Sequence, residues 1–453
     1  MLRSCRCTWL PLRISEMPDR PNRSSSQGDA AGPGPVPDPP WWKKLGPGLI
    51  TGAADDDPSG IATYSQGGAQ YGFDVAWTVL FTYPLMVGIQ LASARIGRIS
   101  GKGLTENFAR ICPRWLVSAL VVLLVVANVI NLGADLNAMG DAANMLIGGN
   151  RTVFACAFGI VSLLLQVFVP YERYVSVLKW LTLSLLAYVG VGLTAHVHWE
   201  TALRATVWPK LHWEKDYATT VVAILGTTIS PYLFFWQAAQ EVEEINRVEA
   251  DKPLRIAPKQ AKRQLRRLRV DTVVGMGFSN LIAFFMIVAT AATLHVSGVS
   301  HIETTSEAAK ALEPVAGKFA FLLFAAGVVG TGLLALPVLS GSAAYAIASL
   351  LKVRKGLDQP PAAATSFYAI LAGAMVVGMA ISASGLNPIR TLYWAAVINA
   401  VISVPIMVAV MVAASHEKIV GNMKMPSVWR FLGWAATAAM AVATVAMAVA
   451  ALS

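Results

Sequence analysis

Residues 46–60 read GPGLITGAADDDPSG and place three consecutive aspartates, at 55–57, inside an otherwise apolar stretch. Apolar residues flank the acids on both sides, so the triplet falls near the middle of a predicted membrane span. A charge at the centre of a bilayer costs about 2.5–3.5 kcal/mol even on the insertion scale, so such residues usually face a cavity and serve a function. Pro58 removes a backbone donor and Gly60 tolerates unusual dihedral angles, which predicts an unwound segment with free carbonyls.

The alternative is that the aspartates lie in water at a membrane end and cap the helix that follows Pro58. A second interrupted span, at 221–240, favours the first interpretation. It reads VVAILGTTISPYLFFWQAAQ, where hydroxyl residues and Pro231 interrupt an apolar run at a comparable depth. Two proline-interrupted spans, the first and the sixth, are typical of transporters built from inverted repeats of five helices. The sequence therefore predicts a transporter in which at least one aspartate lines the site.

The composition agrees with a membrane protein. Of the 453 residues, 55% are hydrophobic and 14% charged, and the mean hydropathy is +0.55. Stretches such as 115–130 are long, predominantly apolar and show no alternation, so they indicate helices that cross the bilayer and not barrel strands. The formal charge of +10 comes from basic residues clustered in short loops, where cytoplasmic retention explains them without a nucleic-acid partner.

We predict an all-α integral membrane protein with about eleven transmembrane helices. The predicted spans are 49–69, 75–94, 115–139, 152–169, 178–197, 219–240, 272–294, 319–349, 365–382, 391–414 and 429–452. Residues 1–44 are predicted to be a disordered cytoplasmic tail, and 45–453 a single transmembrane domain. Its predicted parts are a first repeat at about 47–197, a second at about 219–414 and an extra helix at 429–452.

Lys and Arg concentrate in alternate connections, most densely at 241–270. This pattern predicts a cytoplasmic N-terminus and an external C-terminus for a multi-pass protein of the inner, or plasma, membrane. The oligomeric state is left open.

At these residues the sequence resembles the Nramp family of divalent metal transporters, and the likeness extends over nearly the whole chain after the tail. The stretch at 46–60 looks like the family's GPG…DPGN first helix, and GTTISP at 226–231 stands where the family has alanine-x-x-methionine-proline-histidine. Further similarity lies in YGFDVAW at 71–77 and in 90–102 with the following Glu106. The resemblance implies a LeuT-type five-plus-five inverted repeat with broken helices 1 and 6, and a metal ion held between the two unwound segments.

Position by position, the resemblance assigns the metal to these breaks. Asp57 matches the family's metal-binding aspartate, while Ala54 and Thr227 match residues that offer backbone carbonyls. Asp55 and Asp56 have no counterpart in that role. Asp56 is a candidate ligand through water, and Asp55 a candidate for the pathway; the alternative is that both shape the entrance.

Three hallmark side chains of the family are replaced. Its asparagine falls on Gly60, its methionine on Ser230 and its histidine on Tyr232. A thioether favours soft transition metals, whereas hydroxyl, carbonyl and carboxylate groups favour hard ions. Gly60 and Ser230 are also expected to widen the site and leave room for retained water, which suits magnesium. The departures resemble a related branch that carries magnesium, and manganese remains open.

Coupling to protons needs titratable groups in the core. The candidates for coupling or for the ion pathway are Asp55, Asp135, Tyr232 and Gln237. Asp135, in the third span, has an equally acceptable interpretation as a carboxylate near the outer end of its helix.

Other function classes compete with this one. Proton-coupled import of manganese or iron, as in typical members of the family, is one alternative, and cation-coupled uptake of an amino acid or small organic solute is another. Three aspartates at the break are expected to repel a substrate carboxylate. An enzyme is not expected, because the sequence offers neither a nucleophile with its base nor an HExxH-type motif. The expected partners are the metal ion, as substrate, and the bilayer, without a cofactor.

Overall fold

The computed structural model describes residues 51–52, 54–169, 183–248 and 250–452, and all the regular secondary structure within these ranges is helical. The helices of nine residues or more are α1 Pro58–Tyr71, α2 Trp77–Ser100, α3 Arg114–Ile147, α4 Arg151–Phe168, α5 Leu186–Thr194, α6 Trp199–Val207, α7 Lys215–Thr228, α8 Pro231–Arg247, α9 Ala261–Thr290, α10 Ala320–Leu351, α11 Thr365–Ser382, α12 Pro388–Ser415 and α13 Ser427–Leu452. Shorter helical segments are Gly72–Val75, Leu104–Phe108, Leu183–Leu185, Pro258–Gln260, Ala291–His295, Thr305–Lys310, Glu313–Ala316, Gly317–Phe319 and Glu417–Val420.

Nine helical segments in the described ranges are long and apolar enough to cross a membrane. They correspond to nine of the eleven predicted spans, and the all-α membrane class is confirmed. The other two predicted spans, 49–69 and 178–197, each begin in residues outside the described part. The predicted tail at 1–44 lies wholly outside it.

The connection predicted at 241–270 is largely helical. Helix α8 continues to Arg247 and α9 already begins at Ala261, so the basic stretch at 262–269 forms the first turns of α9. Leu268, within this stretch, is buried, while Arg263 on another face is exposed. The charges therefore line one side of a helix that packs through its apolar side.

The two interrupted helices lie in the middle of the bundle. In the apolar core of the span formed by α7 and α8, 89% of the residues are buried, compared with 17% in α13 and 22% in α4. Helix α1 is also buried along nearly its whole length. The breaks therefore face protein and not lipid, which is the condition under which irregular backbone is tolerated at membrane depth.

Glycines allow the segments beside the breaks to approach their neighbours closely. A Cβ added at Gly52 would lie 2.3 Å from the carbonyl oxygen of Gly275 in α9. One added at Gly226, in α7, would lie 2.0 Å from the carbonyl oxygen of Ala396 in α12. No side chain larger than hydrogen fits either position without backbone movement, so these contacts fix how the breaks sit against α9 and α12.

Ion pairs join the ends of α2, α8 and α9. The buried guanidinium of Arg98 contacts Asp251 and lies 3.8 Å from Glu241, and Arg267 lies 3.3 Å from the same Glu241. Backbone bonds add to this: the amide of Leu254 donates to the carbonyl of Arg98 over 3.2 Å. The segment between α8 and α9 is therefore tied to the end of α2.

Candidate functional site

The first break ends at Asp57, which is the N-cap of α1. Its backbone is extended, and Pro58 occupies the first helical position. Oδ1 of Asp57 accepts hydrogen bonds from the Gly60 amide at 2.8 Å and from Ser59 Oγ at 2.6 Å. Asp57 thus caps a helix, as one interpretation of the sequence proposed, but with 1% exposure it does so in the protein interior and not in water.

The second break has the same local form. Helix α7 ends at Thr228, Ile229 and Ser230 are non-helical, and α8 begins at Pro231. The Ser230 hydroxyl lies 2.8 Å from the carbonyl oxygen of Gly226 and 2.9 Å from that of Thr227. The Thr227 carbonyl, a predicted ligand, therefore already has a donor in this conformation.

The two breaks meet through side chains. The Tyr232 hydroxyl, in the first turn of α8, donates to Oδ2 of Asp57 over 2.8 Å. Ser59 Oγ and Thr227 Oγ1 are 3.2 Å apart, so a second hydrogen bond joins α1 to α7. Both oxygens of Asp57 are thus engaged at the point where the interrupted helices come together.

Neighbouring groups lie close to Gly60, where the sequence predicts room for retained water. A Cβ at this position would lie 3.3 Å from the ring of Tyr64 and 3.5 Å from Thr227 Oγ1. The Tyr64 hydroxyl in turn lies 2.9 Å from Thr228 Oγ1, which holds the ring in place. Ala54, on the helical turn before the break, is buried like Gly60.

Asp55 and Asp56 diverge from Asp57. Oδ2 of Asp55 accepts from Ser279 Oγ at 2.7 Å, and Oδ1 of Asp56 lies 3.0 Å from the same hydroxyl. Ser279 lies on α9, one turn beyond Gly275, so the close contact of Gly52 with Gly275 sets this pairing. The three carboxylates therefore point in two directions: that of Asp57 contacts α8, and those of Asp55 and Asp56 contact α9.

Asp135, in α3, is fully buried, and neither of its carboxylate oxygens has a hydrogen-bond partner among the described residues. It lies close enough to Asp57 and Tyr232 for its charge to act on both. Its position is thus beside the breaks and not at a solvated helix end.

Gln237 lies away from the breaks, between α8, α2 and α9. Its Oε1 accepts from Gln90 Nε2 at 2.5 Å, and its Nε2 donates to Thr272 Oγ1 at 3.0 Å. Both ends of the amide are bonded to other helices, which is the arrangement of a residue that joins helices.

Sequence reasoning missed two serines at the site. Ser279 does not stand out in the sequence, because a lone serine in an apolar helix is common. Its spacing of four from Gly275 does put both residues on one helix face. Ser403, in α12, donates to the carbonyl oxygen of Ile229 over 3.0 Å and so satisfies a backbone group freed by the second break.

Four carboxylates, those of Asp55, Asp56, Asp57 and Asp135, are therefore buried near one another. No ion pair within the described ranges joins any of them to Lys, Arg or His. In the same ranges, no three His, Cys, Asp or Glu side chains converge in a way that could hold one metal ion. The region is thus strongly acidic without one all-carboxylate cage.

The Nramp family model, described as natural resistance-associated macrophage protein-like, matches residues 48–450. The divalent metal cation transporter MntH of Acidiphilium cryptum is 26% identical over 301 residues, covering 63% of this chain and 65% of that protein. MntH of Deinococcus radiodurans is 29% identical over 297 residues, covering 64% and 65%. The chain thus spans just under two thirds of the length of these two relatives, and 79% of MntH from Caldanaerobacter subterraneus, at 26% identity.

Solved structures share the fold. A manganese transporter of Eremococcus coleocola superposes with a TM-score of 0.68 at 14% identity, covering 90% of this chain and 87% of that one. Mhp1, a nucleobase-cation-symport-1 family transporter in a closed conformation, gives a TM-score of 0.56 at 15% identity, covering 90% of each chain. These identities establish the architecture alone, and the predicted LeuT-type fold is confirmed.

Proposed function

This chain belongs to the Nramp family, and on that premise we propose that it carries divalent metal cations across a membrane by alternating access. The observation that carries the proposal is Asp57: a buried carboxylate at the meeting point of two broken helices, linked across the gap by Tyr232. Uncompensated carboxylates in a membrane interior are costly. A cation bound there offsets that cost, which gives the arrangement its function.

The proposed ligands come from both breaks. They are the Asp57 carboxylate, the backbone carbonyls of Ala54 and Thr227, the hydroxyl of Ser230, the backbone at Gly60 and, through water, Asp56. Each carboxylate oxygen has two acceptor positions, so Asp57 can ligate an ion while keeping part of its present bonding. The Ser230 hydrogen points to backbone carbonyls, which leaves its lone pairs for an ion.

We further propose a hard ion, Mg²⁺ or Mn²⁺, as substrate. The side chains that meet at the two breaks offer carboxylate, hydroxyl and phenol oxygens. Such donors suit magnesium and manganese, whereas soft ions gain little without sulfur or imidazole. The relatives named as divalent metal cation transporters and the manganese transporter of the same fold support the broader class.

The alternative is proton-coupled import of manganese or iron. The feature that favours it is Asp135, which lies beside Asp57 without a hydrogen-bond partner among the described residues and offers a carboxylate that can carry a proton during transport. Tyr232 and Asp55 belong to the same group of candidates. We place the protein in the plasma membrane, with its N-terminus in the cytoplasm and its C-terminus outside.

The test is uptake of Mg²⁺ and Mn²⁺ into proteoliposomes, separately and in competition with Cd²⁺, with a pH reporter inside. We expect Mg²⁺ and Mn²⁺ to enter, Cd²⁺ to compete poorly and Asp57→Ala to abolish uptake. Glu200→Ala, which removes an exposed carboxylate far from the breaks in sequence, is the matched control. Uptake that persists in Asp57→Ala would refute the site, and acidification of the lumen together with exclusion of Mg²⁺ would establish the alternative.

A further inference from the structure

Asp55, Asp56 and Ser279 form a polar group of their own beside the proposed substrate site. Both carboxylates are buried, and the one hydroxyl of Ser279 serves both. That hydroxyl has one hydrogen to give, so it can satisfy one carboxylate at a time. The other oxygen of Asp55, Oδ1, is buried and has no partner among the described residues. The group therefore has more acceptor capacity than its protein neighbours supply.

The charge balance points the same way. One divalent cation on Asp57 offsets at most two negative charges, and four carboxyl groups are buried in this region without a basic partner in the described ranges. One ion cannot be bound by all three aspartates at once, because their carboxylates do not converge on one point. Asp55 ends the helical turn before the break, whereas Asp57 has an extended backbone, and this change of backbone conformation accounts for the divergence.

We infer that Asp55, Asp56 and Ser279 form a second cation site, which takes a hard divalent cation while the first ion is bound at Asp57. The inference rests on the proposed function, because it presumes a substrate cation at Asp57. Two carboxylates and a hydroxyl are an all-oxygen donor set, the kind that Mg²⁺ accepts together with retained waters. Their combined charge matches a divalent ion better than a monovalent one.

The site joins two separate elements of the bundle. Asp55 and Asp56 lie before the first break, and Ser279 lies on α9, where the Gly52–Gly275 contact sets the distance. A cation held there ties the first break to α9. Because Asp57 follows Asp56 directly, the charge of an ion at either position acts on the other, so the two sites are energetically coupled.

The test counts bound ions. The full chain, purified in lipid nanodiscs, is dialysed to equilibrium against Mg²⁺ in 150 mM NaCl, and bound magnesium is measured by elemental analysis. We expect two ions per wild-type chain and one in each of Asp55→Asn, Asp56→Asn and Asp57→Asn. The matched control Glu200→Gln should keep two. Asn preserves the shape of Asp and removes a buried charge. Ser279→Ala leaves all four carboxylates in place and should weaken the binding of the second ion.

The outcomes separate this proposal from the proposed function. One ion per wild-type chain, or two ions retained by both Asp55→Asn and Asp56→Asn, overturns the second site whether or not Mg²⁺ is transported. The same dialysis is repeated with choline chloride in place of NaCl. A second magnesium ion that is bound in choline chloride but absent in NaCl overturns the assignment of the site to a divalent cation. Two bound ions without uptake into proteoliposomes would refute transport and leave the second site standing.

Discussion

Replacing Gly52 with alanine tests how the first break is positioned. The added Cβ would lie 2.3 Å from the carbonyl oxygen of Gly275 and 2.4 Å from its carbonyl carbon. Backbone atoms cannot rotate away as a side chain can, so an ordinary contact of about 3.4 Å requires the segments to separate by about 1 Å. The distances from Ser279 Oγ to the carboxylate oxygens of Asp55 and Asp56, now 2.7 and 3.0 Å, would then exceed hydrogen-bonding range.

Overpacking of this kind costs about 1–3 kcal/mol. Expressed as a population, that is about a 5- to 160-fold loss of the conformation in which the break contacts α9. We therefore expect the initial rate of Mg²⁺ uptake by Gly52→Ala proteoliposomes to fall about tenfold or more, and the thermal unfolding midpoint to fall with it.

The matched control is Gly373→Ala in α11. A Cβ there meets nothing within 4 Å, so this variant gains the helix propensity of alanine without a clash. Uptake by Gly52→Ala within twofold of Gly373→Ala, with equal unfolding midpoints, would show that the close contact does not hold the break.

Two further changes test the site and the ion-pair cluster. Ser230→Met places a thioether at the second break. We expect Cd²⁺ to compete with Mg²⁺ uptake about tenfold better, which corresponds to a gain of about 1.4 kcal/mol in the binding free energy of this soft ion. Unchanged competition would count against Ser230 as a ligand. Arg98→Met removes the fully buried cation of this cluster, but Asp251 keeps Arg263 and Glu241 keeps Arg267. We therefore expect a loss of about 3 kcal/mol in unfolding free energy, the lower end for a broken buried ion pair. Arg263→Met, whose side chain is 73% exposed, should change it little. Equal unfolding midpoints for the two arginine variants would contradict this account.

Features that act locally could be predicted from the sequence. Pro58 and Pro231 each occupy the first position of a helix, and the break lies directly before each of them. Proline acts on its own turn whatever surrounds it, so the positions of both breaks could be predicted without the fold. The start of α9 could not, because a stretch dense in arginine looks like a loop until Leu268 is seen to pack.

Tertiary contacts decided what the sequence left open. Ser279 is 224 residues from Asp55 along the chain, and no local pattern links them. For Asp135 the sequence allowed a solvated helix end or a place near the site, and packing of α3 against the interrupted helices settles its location as interior. A sequence pattern indicates that a carboxylate is unusual, but its partners depend on the arrangement of helices that are distant in sequence.

The position of Asp57 also favours a cation over an organic anion as substrate. In transporters with broken helices, a substrate carboxylate commonly binds at the N-terminus of a half-helix, where the helix dipole is positive. Here the chain's own carboxylate occupies that place: Asp57 accepts the Gly60 amide at the start of α1. The facing end of α7 presents carbonyl oxygens at Thr227 and Ile229, which attract positive charge. An anionic solute would therefore meet the Asp57 carboxylate at the start of α1 and carbonyl oxygens at the end of α7, and both of these groups favour a metal cation instead.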